Sequence, residues 1–122
     1  MLKLGYRKHG RHYCHGLEYW RRIYHFIHND TKIGQFQIEY RDDCYWIWNF
    51  NIKFPYRNCG YGHKMLQECI KTLNDKPLQC YSATDGPMLH LLQKYNFVII
   101  KVEDLGDVYR NVSCYQMRRE VK

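Results

Sequence analysis

One stretch of the chain combines residue types and spacing that could do chemistry. It reads Phe54-Pro55-Tyr56-Arg57-Asn58-Cys59-Gly60-Tyr61-Gly62-His63-Lys64. Glycines two apart let the backbone turn tightly and bring its N–H groups close to a ligand. The residues that follow have helical period, and a helix start adds unpaired N–H donors and about half a positive charge. Arg57 and Lys64 add cations. Together these parts make an anion cradle, suited to a pyrophosphate. The segment is not a Walker loop, because Gly-Lys-Ser/Thr is missing. Nor is it the dinucleotide fingerprint, because the third Gly is absent and the strands before it form a meander.

The elements that must position this segment follow from periodicity. Tyr19 to His28 is aromatic and β-branched with alternation, which predicts a strand. Asn29-Asp30-Thr31-Lys32 is a turn, and Ile33 to Tyr40 alternates Phe36, Ile38 and Tyr40 against Gln35, Gln37 and Glu39. After Arg41-Asp42-Asp43, a third strand is predicted from Tyr45 to Phe54. Trp46, Trp48, Phe50, Ile52 and Phe54 then share one face, with Ile47, Asn49, Asn51 and Lys53 on the other. The period changes next: Tyr61, Met65, Leu66, Cys69, Ile70 and Leu73 form a helical stripe. Leu78 to Ala83 is a short strand. Pro87 opens a second helix with Met88, Leu91, Leu92 and Tyr95 inward. Phe97 to Val102 is a strand, Glu103 to Asn111 a polar loop and Val112 to Arg118 the last strand. The strand at Leu78 follows its predecessor through a helix, so the two are expected to be parallel. The predicted class is α+β: a mixed, mostly antiparallel sheet of about six strands with helices packed on it.

Length and charge bound the rest. At 122 residues the chain fits a single domain, 1–122, with 1–18 as a short, basic, solvated lead segment that could supply one helix at most. Aromatic residues are 16% of the chain, which excludes a disordered protein. No apolar run is long enough to span a membrane, and no apolar stretch follows the charges at the N-terminus. A cytoplasmic protein is therefore expected, with its six scattered cysteines as free thiols. His9, His12, Cys14 and His15 lack the second ligand pair that a zinc site needs, so no metal is expected. The net charge of +7 admits a polyanionic ligand, an acidic partner or nucleic acid. Charge alone does not choose among them.

The motifs, taken with the element order, resemble the GNAT superfamily of N-acetyltransferases. The family signature Arg/Gln-x-x-Gly-x-Gly/Ala is matched by Arg57-Asn58-Cys59-Gly60-Tyr61-Gly62. The later family segment is matched in part by Asp85 to Phe97, through Leu91, Lys94 and Phe97, and Cys114 to Arg119 is similar to the last strand. The resemblance implies acetyl-CoA as acyl donor. Ile52 and Phe54 would pair with the pantetheine arm, and Arg57, Asn58, Cys59, Gly60, Tyr61, Gly62, His63, Lys64 and Asp85 would contact the cofactor. The two parallel strands, ending near Phe54 and Ala83, would splay apart to admit the thioester. An amine, with a protein lysine or N-terminus among the acceptors, would attack the acetyl carbonyl directly. The family's general-acid Tyr falls on Leu92, which leaves Tyr95 one turn later as the nearest phenol. The third-strand Glu of some members is replaced by Asn49 and Asn51, so His25, His28, Tyr81 and Ser82 are the remaining candidates near the site. The two helices that usually wall the acceptor site are missing from the short lead segment. An open side suits a macromolecular acceptor or completion by a second subunit, a homodimer. The other class of reading is a GNAT-like module without catalysis that binds nucleic acid or a partner protein through a basic aromatic face.

Overall fold

The computed structural model describes residues 2–14, 17–104 and 113–121, with side chains described for 21–103 and 114–121. Strands β1 (Leu2–Cys14), β2 (Leu17–His28), β3 (Thr31–Tyr40) and β4 (Tyr45–Ile52) form an antiparallel meander. Helix α1 (Tyr61–Thr72), β5 (Leu78–Ala83), α2 (Pro87–Lys94), β6 (Val98–Asp104) and β7 (Ser113–Arg119) follow. The seven strands lie in one sheet in the order β1-β2-β3-β4-β5-β7-β6. Among the described residues its one parallel pair is β4–β5 at the centre, as expected from the helical connection between them.

Strand β1 corrects the expectation that residues 1–18 supply at most a helix. Leu2, Leu4 and Tyr6 alternate with Lys3, Gly5 and Arg7 in a period of two. The register sets Leu4 opposite Phe26 and Tyr6 opposite Tyr24, so the apolar partners for a strand exist in β2. The charges of this segment hid that alternation. The same register sets Lys8 opposite Arg22. The proposed cluster of His9, His12, Cys14 and His15 lies outside the described side chains.

Strand β4 corrects a second expectation. Gln35 pairs with Asn51 but Gln37 pairs with Trp48, so Asn49 and Phe50 together oppose Phe36. This is a β-bulge, and it is built on Asn49 at φ +52, a conformation that Asn tolerates better than most residues. The extra residue switches the side-chain alternation. Trp46 and Trp48 therefore point to one face, while Phe50 and Ile52 join Tyr45 and Ile47 on the other. The strand also ends at Ile52, earlier than predicted. Pro55 opens a 3-10 turn over Phe54–Tyr56, and Phe54 is 78% exposed.

Both helices pack on the face that carries Tyr24, Phe26, Phe36, Ile38 and Ile47. α1 buries Met65, Leu66 and Cys69 there, and α2 buries Leu89 and Leu92. Phe26, Phe36 and Leu92 are completely buried, each worth about 1.5–3 kcal/mol of apolar burial. α2 ends in a two-bond cap: Phe97 N–H donates to Leu92 O and Asn96 N–H to Gln93 O. Asn96 takes the left-handed position at φ +70, as its place before Phe97 predicts.

Gly34 fixes the distance between β4 and β3. A Cβ there would lie 2.7 Å from Ile52 Cδ1 and 2.8 Å from Asn51 O. Backbone cannot yield as a side chain can. Gly34→Ala is expected to cost about 1–3 kcal/mol, as overpacking does, and urea unfolding would read it as a lowered midpoint at unchanged slope.

The thiols of Cys44, Cys69, Cys80 and Cys114 are buried, whereas Cys59 is exposed. Burial pushes the Cys44 and Cys80 thiols up, to about 11 and about 12. Among the described residues no helix is long and apolar enough to cross a membrane.

Candidate acetyl-CoA site

The parallel pair is joined at only Tyr45–Leu78 and Trp46–Gln79. Beyond these positions the strands diverge and leave a wedge at their carboxyl ends, where open sheets commonly bind ligands. On the β4 side of the wedge lies a cavity of about 750 Å³. The end of β4, the loop from Tyr56 to Gly60, the first turn of α1 and the N-terminal half of α2 line it.

The loop is shaped by left-handed backbone. Asn58 has φ +61, and Gly60, the N-cap of α1, has φ +82. A Cβ on Gly60 would meet nothing within 4 Å, so its surroundings are open and the demand for Gly is conformational. Lys64 N–H is the first in α1 to reach a carbonyl, that of Gly60. The amides of Tyr61, Gly62 and His63 are therefore left over from the helix ladder. No acidic residue stands in that first turn. Arg57 lines the cavity, its Nε donating to Ile52 O at 2.8 Å, which ties the cation to the end of β4. An open glycine turn, spare helix amides and a tethered guanidinium fit a pyrophosphate group.

Of the predicted cofactor residues, Ile52, Arg57, Asn58, Gly60, Gly62 and His63 line the cavity. Phe54, Cys59, Tyr61, Lys64 and Asp85 stand outside its lining. Phe54 is the clearest case, since the 3-10 turn takes it off the strand that was to carry it. The carbonyl of Ile52 is also occupied, by Arg57. Sequence reasoning missed Phe50, Asn51, Tyr56, Pro87, Met88 and Leu91 as lining residues. The bulge turns Phe50 to this face, and α2 brings Leu91 within 3.8 Å of the Cβ position of Gly62. Neither contact has a local signal in the sequence.

Tyr95 does not line the cavity, but its hydroxyl is 3.4 Å from Nδ1 of His63, which does. The two rings meet edge to face at 5.9 Å. Leu92 is fully buried, so that position belongs to the core. Ser82 is buried and donates to Ala83 O. His28 lies beside Tyr61, rings 5.7 Å apart, and His25 stands opposite Gln35 on the face away from the helices.

That other face has a layer of its own. Trp46 and Trp48 stack at 5.7 Å, and Tyr81 packs against both. Arg21 covers Trp48 and Arg41 covers Trp46. Glu39, read from sequence as part of a polar face, is completely buried between these arginines, 3.3 Å from Arg21 and 2.6 Å from Arg41. No helix covers this face among the described residues. Among them, too, no group of His, Cys, Asp and Glu is arranged to hold a metal ion.

No protein-family model matches the chain, and no curated protein matches it. Solved structures do. A GNAT family acetyltransferase from Elizabethkingia anophelis, with acetyl-CoA bound, superposes with TM-score 0.72 at 19% identity, covering 83% of this chain and 76% of that one. The ribosomal-protein-S18-alanine N-acetyltransferase from Escherichia coli gives TM-score 0.72 at 13% identity, covering 85% and 70%. A Bacillus subtilis acetyltransferase in complex with CoA gives 0.70 at 14% identity, covering 84% and 78%. With its bulged β4, its splayed parallel pair and its glycine turn opening α1, the chain has the fold of the GNAT-family acetyltransferases.

Proposed function

We propose that the chain is an acetyl-CoA-dependent N-acetyltransferase acting on an amine. The observation that carries this reading is the meeting, in one cavity, of the end of β4 beyond its pairing with β5, the Gly60 turn, the α1 N-terminus and the start of α2. Two of the structural neighbours hold acetyl-CoA or CoA, which supports the same donor here.

Acetyl-CoA would supply the activated acetyl group; the chain binds and orients it. Spare amides of Tyr61, Gly62 and His63, with Arg57, hold the pyrophosphate. The free edge of β4 beyond Trp46 offers N–H and C=O groups to an extended arm. Those N–H groups also face the position where negative charge develops on the acetyl oxygen. The Tyr95 hydroxyl stands behind His63, which lines the cavity, and is the proton source for the departing thiolate by way of that imidazole. The acceptor comes from the face without helices, which leaves room for a macromolecule. One neighbour acts on a protein alanine, which supports a protein amine as acceptor.

The test joins titration of acetyl-CoA with an assay of thiol release in the presence of peptide amines. Saturable binding with amine-dependent release is the expected result. No binding at millimolar acetyl-CoA would end the enzyme reading and direct attention to the basic β1–β2 ribbon and nucleic acid.

A further inference from the structure

Among the described residues, the helix-free face carries a partly buried carboxylate, Glu103, held by a single exposed lysine. Glu39 is enclosed by Arg21 and Arg41, and Glu120, on a side chain that is 67% exposed, stands in solvent beside Arg118. Glu103 is different. The register lines up Ala83, Cys114 and Glu103 across β5, β7 and β6, just past the point where β4 and β5 separate. Its charge lies close enough to the Tyr81 phenol to add to the burial that pushes that group up, and the Tyr81 ring leans on Trp46 and Trp48 at the start of the wedge. Its side chain is 22% exposed. The cation beside it is Lys101, 3.3 Å away on a side chain that is 64% exposed. Glu103 thus already holds an ammonium from the solvent side, and a flexible exposed lysine is easily displaced. In the same aromatic wall, Trp48 Nε1 is buried with no hydrogen-bond partner, a spare donor for a group brought by a ligand.

We infer that Glu103, on the same sheet face as the Tyr81 aromatic wall, is the counter-charge that selects a cationic aliphatic amine as acceptor, with the Lys101 ammonium as its resident competitor. A carboxylate next to aromatic faces favours an ammonium over a neutral amine through charge, hydrogen bonding and ring quadrupoles. This inference rests on the acetyl-transfer reading and adds the acceptor class to it. It also gives Glu103 a place that the sequence, read as the start of a polar loop, did not.

The experiment measures kcat/KM for two acceptors at pH 7.5: a lysine amide, which is cationic, and an arylamine, which is neutral. The readout is their ratio. Glu103→Gln is expected to lower the preference for the lysine amide about three- to fivefold, as loss of one partly exposed ion pair would. Glu103→Asp restores part of it. Tyr81→Phe, which keeps the ring and the carboxylate, leaves most of the preference in place. Lys101→Ala moves the ratio the other way, because it removes the competitor; a merely structural role for Glu103 has no reason to produce that sign. Acetyl-CoA titration of each variant reports whether it is folded and loaded. If the ratio is unmoved by Glu103→Gln and Lys101→Ala, or if the wild type prefers the arylamine, the inference is overturned while acetyl transfer stands. If wild type binds acetyl-CoA but acetylates neither amine, the inference is also overturned. If it does not bind acetyl-CoA, the underlying reading has failed instead.

Discussion

Gly60→Glu is expected to weaken acetyl-CoA binding more than a hundredfold by isothermal titration, with circular dichroism unchanged. Two effects add. At φ +82 any side chain costs about 1–2 kcal/mol of backbone strain. The Cβ position is otherwise open, so the new side chain meets no wall and extends freely where the turn faces the cavity. Its carboxylate then stands at the positive end of α1, where the pyrophosphate is to bind, and like charges repel there. A hundredfold change is about 2.7 kcal/mol, which strain and repulsion together exceed. Gly60→Ala separates the two terms. It carries the strain without the charge and should cost about tenfold or less. Wild-type affinity in Gly60→Glu would show that the turn holds no anion.

The largest effect on stability is expected at Glu39. Its carboxylate is completely buried and shared by Arg21 and Arg41, whose side chains are 19% and 23% exposed. Deleting one partner of a buried ion pair costs about 3–5 kcal/mol, because the charge left behind has lost its water and its partner. Here two guanidiniums are left, but both reach solvent and can recover part of their hydration. Glu39→Ala is therefore placed at about 3 kcal/mol, read as a drop in the urea midpoint and a fall in Tm of about 10 °C. Glu39→Gln keeps an acceptor for Arg41 and should cost less. The arginines also cover Trp46 and Trp48, so the damage extends to the aromatic layer, and indole fluorescence should shift with it. A loss below about 0.5 kcal/mol in Glu39→Ala would make the site an ordinary surface pair.

Local features were legible. The cradle could be found because Gly60, Gly62 and Arg57 lie within six consecutive residues whose roles do not depend on distant contacts. Both helices and the central parallel pair were equally readable, since their apolar stripes and connection length decide them. The cap at Asn96 was readable because its chemistry is contained in one residue. What the sequence hid depends on pairing across strands. Nothing in Trp46-Ile47-Trp48-Asn49-Phe50 shows that Asn49 will bulge, and one bulge sent the tryptophans and Phe50 to opposite faces. β1 was hidden because Lys3, Arg7 and Lys8 outweighed the alternation of Leu2, Leu4 and Tyr6. Glu39 and Glu103 each have one cationic partner two positions away, but Arg21, 18 positions from Glu39, and the Tyr81 wall near Glu103 come from other strands, which no window of sequence displays.

The short β4–β5 ladder has a mechanical consequence. A four-strand panel, β1 to β4, and a three-strand panel, β5 to β7, are stitched by two residue pairs at one end of the seam. A load that draws the panels apart meets those few hydrogen bonds one after another, as a zipper does, rather than a whole row in shear. The seam therefore yields while each panel keeps its own antiparallel ladders. The cavity side of that seam then behaves as a hinge whose stiffness is supplied by the packing of α1 and α2 across it, so the helices act as the leaf spring that sets how wide the wedge stands.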